Sequence, residues 1–273
     1  MKPAPFLYER PESLEEAVTL LAEHGDDAKV LAGGQSLVPL LNMRLARPEV
    51  LIDINHVVGF ANMSRMDGAA RCGALVRQEA FHDHSPLVDS CCAFIGHHAT
   101  RNRGTVCGSI AHADARAELP LALLVSGGTV IAQSVRGRRE IAADEFFVTH
   151  FTTSLEPDEL VVETIWPDPG PNVRFEEFAL RHGDFALAMA AAVVRDGEIR
   201  VGVGSVVDRP TLLAVDPDNP GASAAEQVDP VDTLHASGRY LRMLTRVLVD
   251  SAVAAAKAGW MGVLAPGIEE AYP

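Results

Sequence analysis

The chain is poor in cysteine, and the four it has follow no regular spacing. Cys72, Cys91, Cys92 and Cys107 stand among 273 residues, and no two form a C-x-x-C pair. Iron–sulfur clusters and structural zinc sites need closely spaced thiolates, so neither is expected. The vicinal pair Cys91-Cys92 is poorly placed to bond to itself, and buried, reduced thiols are the expectation. Basic charge is also short: 23 Lys plus Arg against 37 Asp plus Glu leave a net charge of −14. Nucleic acids and anionic membranes call for a positive field, so neither is expected as the main partner. Long apolar runs are missing too. The longest, Ala186 to Val194, stops at Arg195, well short of the roughly 18 residues that a bilayer span requires. Met1 to Pro5 carries no apolar signal-peptide core, and a cytoplasmic location is the expectation. No internal repeat is visible.

The rest of the composition is that of a folded protein, 48% hydrophobic and 22% charged, long enough for two ordinary domains or one large one. Ser13 and Glu16 form an S-x-x-E capping box. Leu14, Ala17, Val18 and Leu21 then mark one helix face, and Gly25 is a stop. Lys29 to Ala32 reads as a strand, Gly33-Gly34 as a turn, Leu37 to Leu45 as a helix and Val50 to Ile54 as a second strand, together a crossover unit. From there to Pro169, strands are expected at Arg71–Val76, Thr129–Gln133 and Leu160–Trp166, and helices at Pro86–His97 and Ala117–Val125. Pro167 to Pro171 is the best linker candidate. Beyond it, Phe175–Leu180, Ala188–Val194 and Ile199–Val207 read as strands, with a hairpin turn at Asp196-Gly197. Residues 208–232 read as an irregular loop, and a long helix follows through Leu241, Leu244, Val247, Leu248 and Val253.

Two constellations can carry chemistry. The first is Leu31-Ala32-Gly33-Gly34-Gln35-Ser36-Leu37, between strand and helix. Paired glycines let the backbone approach a ligand, and a following helix start favours an anion such as a pyrophosphate. The loop lacks the lysine of a P-loop, and it is not G-x-G-x-x-G. A tight structural turn explains it equally well. The second runs from Arg101 to Ser109 through Thr105-Val106-Cys107-Gly108-Ser109, and on through His112 and Asp114 to Glu118. Its hydroxyls and carboxylates suit a polyhydroxylated ligand; a turn leading into a capped helix is the plainer alternative. His97 and His98 are adjacent, so they point apart on a helix and make poor metal co-ligands.

Taken together, the two segments resemble the flavin-binding signatures of the FAD-binding medium subunit of molybdenum hydroxylases, the carbon monoxide dehydrogenase and xanthine dehydrogenase family. Ala32 to Leu37 matches A-G-G-x-S-L. Thr105 to Ser109 resembles T-I-G-G-[NS], with Cys107 in place of the first glycine. Phe6-x-Tyr8-x-x-Pro11, Arg101 to Gly104, His112 to Pro120, Arg181 to Ala186 and Arg239-Tyr240-Leu241 extend the likeness, in order, over nearly the whole chain. The resemblance implies an α+β protein. A PCMH/VAO-like FAD-binding domain would span 1–170, as two α/β subdomains of about 1–55 and 56–170. A C-terminal α+β domain, 171–273, would hold a small antiparallel sheet and helices.

The resemblance further implies that Leu31 to Leu37, with Gly33, Gly34, Gln35 and Ser36 at its centre, holds the FAD pyrophosphate. Thr105, Val106, Cys107, Gly108 and Ser109 would hold the other side of the phosphate–ribityl region. Asp114 and Glu118 would meet FAD hydroxyls, Phe185 would lie beside the isoalloxazine ring, and Ile95 and Val162 would pack near the cofactor. Molybdopterin and two 2Fe–2S clusters would reside in a large and a small partner subunit. FAD would collect their electrons for an external acceptor such as NAD or a quinone. No nucleophile, general base or metal site stands out in this chain. Arg101 to Arg103 and Arg136 to Arg139 are candidate partner or phosphate contacts. Cys107 would be strained if its position demands a positive φ, and no second thiol stands near it in sequence for redox chemistry. A stand-alone flavoprotein, or a flavin-free scaffold of the same fold, are the alternatives.

Overall fold

The computed structural model describes residues 2–81 and 84–259, so the end of the C-terminal unit, 260–273, lies outside the described residues. Near the N-terminus β1 (Leu7–Glu9), β2 (Ala28–Leu31) and β3 (Val50–Asp53) make a parallel sheet with β3 in the centre. The expected crossover is present: β2 leads through the glycine turn and α2 (Leu37–Asn42) into parallel β3. The three-residue β1 escaped the sequence pattern. α2 stops short of Leu45, where Arg44 takes a φ of 58° and the chain turns back on itself. α1 (Leu14–His24) buries Ala17, Val18 and Leu21. Ser13 Oγ accepts from Glu16 N at 3.1 Å, Glu16 Oε2 accepts from Glu12 N at 2.9 Å, and Gly25 closes the helix at φ 48°. Replacing Ser13 with Ala leaves one N-terminal N–H without its cap. A loss of about 1 kcal/mol, or about 2–4 °C in a thermal melt followed by circular dichroism, is expected.

The second sheet is antiparallel, in the order β4-β5-β10-β6-β7: β4 (Met63–Met66), β5 (Ala69–Gly73), β6 (Thr129–Ser134), β7 (Gly137–Ala142) and β10 (Leu160–Pro167). Between β5 and β6 lie α3 (Pro86–Cys92), α4 (His98–Arg101), α5 (Val106–His112) and α6 (Glu118–Ser126). The helix expected over 86–97 therefore ends early, at Cys92; Gly96 takes a φ of 42°, and the separate short α4 starts only at His98. After β7 the short α7 (Ala143–Phe146) leads into the two-stranded pair β8 (Phe147–Thr149) and β9 (Thr152–Thr153).

The third sheet, β11 (Val173–Phe178), β12 (Ala188–Arg195), β13 (Glu198–Gly204) and β14 (Thr211–Leu213), is an antiparallel meander. Asp196 and Gly197 turn the hairpin with φ of 52° and 84°, as a type I′ turn requires. The region 208–232 is more ordered than its composition suggests. Thr211–Leu213 pairs with β13, and α8 (Pro220–Gln227) packs on α9 (Gly238–Lys257). Strand alternation gives this sheet two apolar faces. Ala188, Ala190, Ala192, Val201 and Val203 meet α8 and α9, while Phe175, Met189 and Ala191 join the core around α3, α5 and α6. α6 is buried along almost its whole length. Gly202 lets β13 approach it, for a Cβ there would stand 2.5 Å from Val125 and 2.8 Å from Leu121.

Candidate cofactor-binding site

The two glycine segments touch. A Cβ on Gly33 would stand 2.5 Å from Arg103 O, 2.8 Å from Gly104 Cα and 2.9 Å from Thr105 N, so the contact exists only because residue 33 has no side chain. Gly34 takes the turn at φ 73°. Ser36 precedes α2 without making a side-chain capping bond. Thr105 does cap its helix: its Oγ1 accepts from Gly108 N at 3.1 Å, in the space a Cβ on Gly108 would need.

A cavity of about 650 Å³ opens along this seam, a volume in the ordinary range for cofactor sites. Ala32, Gly33, Gly34, Gln35, Ser36 and Leu37 form one wall; Thr105, Cys107, Gly108 and Ser109 form another. Ile95, Asp114, Glu118 and Phe185 complete it. Leu31, Val106 and Val162 are not brought there. Leu31 faces a second, more open cavity on the other side of the same glycine loop. Val106 is fully buried at the start of α5. Val162 packs in the core with Leu75 and Ile131, while its neighbours Leu160 and Val161 line the cavity; a register shift between Val161 and Glu163 disturbs the strand's simple alternation there.

Cys107 is not strained. It sits in the first turn of α5, outside the positive-φ residues, with Sγ 3.3 Å from Cys72 O and 3.6 Å from Thr164 Oγ1. A second thiol is close after all: Cys72, far away in sequence on β5, is brought beside it by the packing of α5 on that strand. Burial, and then Cys107 itself, push the Cys72 thiol well up. Protonated thiols are poor nucleophiles, which argues against redox work by Cys72. All four cysteines are free and buried. The two adjacent histidines do diverge: His97 lines the cavity, and His98 Nδ1 lies 3.2 Å from Glu79. His112 also lines the cavity, and burial holds its pKa below the ordinary value. Arg136, Arg138 and Arg139 pair with Asp158, Glu163 and Glu159 on the segment leading into and along β10.

A brace beneath the two loops went unread in the sequence. Arg77 Nη1 donates to Arg103 O at 2.6 Å, and Nη2 to Asn55 Oδ1 at 3.0 Å. Asn55 Nδ2 donates to Ala32 O at 2.8 Å and to Asp53 Oδ1 at 2.6 Å, and Tyr8 OH to Asp53 Oδ2 at 2.5 Å. Burial alone would raise the Asp53 pKa, but the hydrogen bonds from Tyr8 and Asn55 outweigh it and hold it below the usual value. One signal was available: Asp53 and Asn55 lie at the carboxyl end of a parallel strand, where ligand-site residues collect. Arg77 offered none. At the far end of the cavity, Asp114 Oδ1 accepts from Arg116 N at 2.9 Å. The Arg116 guanidinium lies 4.4 Å from the centre of the largely exposed Phe185 ring, a cation–π contact.

This cavity fits FAD. Two loops meet backbone to backbone at Gly33, where a pyrophosphate needs close approach, two buried carboxyl-bearing residues line the wall for hydroxyl groups, and an aromatic ring lines the same cavity. The fold and the site define a flavin-binding protein. The profile described as "FAD binding domain in molybdopterin dehydrogenase" matches residues 4–169, and the chain belongs to that family. It is 41% identical to the 6-hydroxypseudooxynicotine dehydrogenase complex subunit alpha of Paenarthrobacter nicotinovorans, over 94% of this chain and 96% of that one. With the nicotine 6-hydroxylase medium subunit of the same organism it shares 36% identity, over 91% and 96%. Among solved structures it resembles carbon monoxide dehydrogenase from Hydrogenophaga pseudoflava with a TM-score of 0.89 and 28% identity, covering 95% of this chain and 99% of that one.

Proposed function

We propose that this chain is the FAD-binding, electron-transferring subunit of a molybdopterin-dependent hydroxylase or dehydrogenase. A large molybdopterin subunit and a small 2Fe–2S subunit are its partners, and an external acceptor takes the electrons. The observation that carries this reading is the side-chain-free contact of Gly33 with Arg103 to Thr105 at the cavity wall. The family match and the medium-subunit name of one relative support it. In this reading Gly33 to Ser36 receive the pyrophosphate, and Thr105, Gly108 and Ser109 flank the phosphate–ribityl region. Asp114 and Glu118 accept hydroxyl groups, and Phe185 shields the ring system. The flavin itself supplies the ability to exchange electrons singly and in pairs; the chain binds, orients and screens it. We place the boundary between the cofactor-binding unit and the C-terminal unit at about residue 170. Its location is taken to be the cytoplasm, in keeping with the lack of any helix long and apolar enough to cross a membrane among the described residues.

Two measurements test this. The purified chain reconstituted with FAD is expected to show flavin absorption bands that survive gel filtration. The chain isolated from its native source is expected to co-purify with molybdenum and iron. Failure of the first overturns the cofactor assignment. A native chain that runs alone and metal-free overturns the subunit assignment.

A further inference from the structure

The two cavities flanking the first glycine loop are lined by neighbouring residues of one extended segment. Arg77 forms an antiparallel bridge with Thr105. On either side of it, Val106 N donates to Val76 O at 3.0 Å and Gln78 N donates to Gly104 O at 2.9 Å. Successive side chains of an extended segment point to opposite sides. Arg77 accordingly lines the second cavity and braces the loops there, whereas Gln78 lines the cofactor cavity. Gln78 opens a short 3-10 turn, Gln78–Phe81, and is only 7% exposed.

The Gln78 amide has room because residue 104 is a glycine. A Cβ there would stand 2.6 Å from Gln78 Oε1 and 3.0 Å from its Cδ. Among the described residues Oε1 is buried without a hydrogen-bond partner. The same Cβ position is 3.2 Å from Thr100 O. That carbonyl is itself an acceptor, already engaged by Arg103 N at 3.1 Å and Gly104 N at 2.7 Å. The second loop thus sets an acceptor near the amide where a donor is needed. Leaving a buried amide oxygen unpaired is costly, and such exceptions ask for a reason.

The cavity supplies one. A primary amide donates at one end and accepts at the other, and half a turn about its last bond exchanges the two ends within the same space. A ligand hydroxyl suits either arrangement, since it both accepts and donates; a phosphate oxygen suits only one. Gln78 is tied by its backbone to Gly104, next to Thr105, which the reading above places beside the phosphate–ribityl region.

We propose that Gln78 is a further FAD-binding residue, its buried amide pairing with a hydroxyl of the ribityl chain beside the second glycine loop. The proposal rests on the FAD assignment above. In the FAD-free protein the unpaired amide weakens the fold, and the cofactor relieves it. Stability and binding are therefore opposed at this one side chain. An apolar side chain of the same length makes the empty protein more stable and the complex weaker. A side chain that served the fold alone would act the other way, its loss lowering stability.

The test uses the full chain as wild type, Gln78→Met and Gln78→Leu. Thermal melts are recorded on the FAD-free proteins. FAD affinity is read by quenching of flavin fluorescence, and phosphorus NMR is recorded on the FAD-saturated proteins. FAD-free Gln78→Met is expected to melt about 2–4 °C above wild type and to bind FAD about fivefold more weakly. Gln78→Leu, with a different apolar shape, is expected to show the same loss of affinity. The pyrophosphate signals of bound FAD are expected to coincide in wild type and Gln78→Met. Equal FAD affinity in all three proteins overturns the proposal, as does a lower melting temperature in both variants. A displaced pyrophosphate signal in Gln78→Met overturns the hydroxyl as partner in favour of a phosphate oxygen. If wild type binds no FAD, the FAD assignment falls and this contact with it; a wild type that binds FAD beside unaffected variants removes the Gln78 contact alone.

Discussion

Gly33→Ala is expected to reduce FAD affinity by about 100-fold, equivalent to about 2.7 kcal/mol, and to lower the melting temperature of the FAD-free protein by several degrees. The added methyl would stand 2.5–2.9 Å from three backbone atoms of residues 103–105. Backbone cannot rotate out of the way as a side chain can, so the two loops must part. Overpacking of this kind costs about 1–3 kcal/mol, and the loss falls on the seam where both loops face the cavity. Gly34→Ala is the discriminating control. There the methyl meets only Leu31 Cδ1 and Val38 Cγ2, each at 3.2 Å, and the main penalty is the φ of 73°, about 1–2 kcal/mol. If the two variants prove equally mild in equilibrium dialysis against FAD, close approach of the loops is not what holds the cofactor.

Arg77→Met is expected to carry the next largest effect: a loss of about 1–2 kcal/mol in stability and about tenfold in FAD affinity. The guanidinium donates to a carbonyl of the second loop and to Asn55, which in turn holds a carbonyl of the first. Hydrogen bonds from a charged donor contribute about 1.5–3 kcal/mol, discounted here because Arg77 is only partly buried. Arg77→Lys is expected to recover only part of the loss, because one ammonium does not reproduce the planar fork. The measurement is a double-mutant cycle with Asn55→Ala, read on both denaturant midpoint and FAD affinity. A coupling of about 1 kcal/mol is expected; strict additivity would show that the two side chains do not act as one brace.

The local elements were legible where local physics decides them. The cap of Ser13, the turn at Asp196-Gly197, the crossover around Gly33-Gly34 and the long C-terminal helix follow from hydrogen bonding and periodicity within a few residues. Elements that exist through distant pairing were missed. β1 is three residues held by β3, and β14 is three residues held by β13. The pattern over 86–97 reads as one helix, yet it ends at Cys92, and the turn that follows runs through Gly96 at a positive φ.

The sequence by itself determined the chemistry available at the site. Two glycine loops, a hydroxyl at Thr105, carboxyls at 114 and 118 and an aromatic at 185 can be read in order, and their pattern carries the family. Only the tertiary structure decided how they meet. It set Gly33 against Arg103, placed Arg77 and Asn55 as the brace between the loops, and turned Val161 rather than Val162 toward the cavity. It laid Cys107 against Cys72 and buried one carboxyl oxygen of Glu177 without a hydrogen-bond partner. The reason is physical: contacts between segments far apart in the chain are fixed by close packing and by the need to satisfy buried polar groups. The four cysteines show both halves. Their irregular spacing already spoke against a cluster site, but the packing of α5 on β5 was needed to show two of them side by side as buried, free thiols.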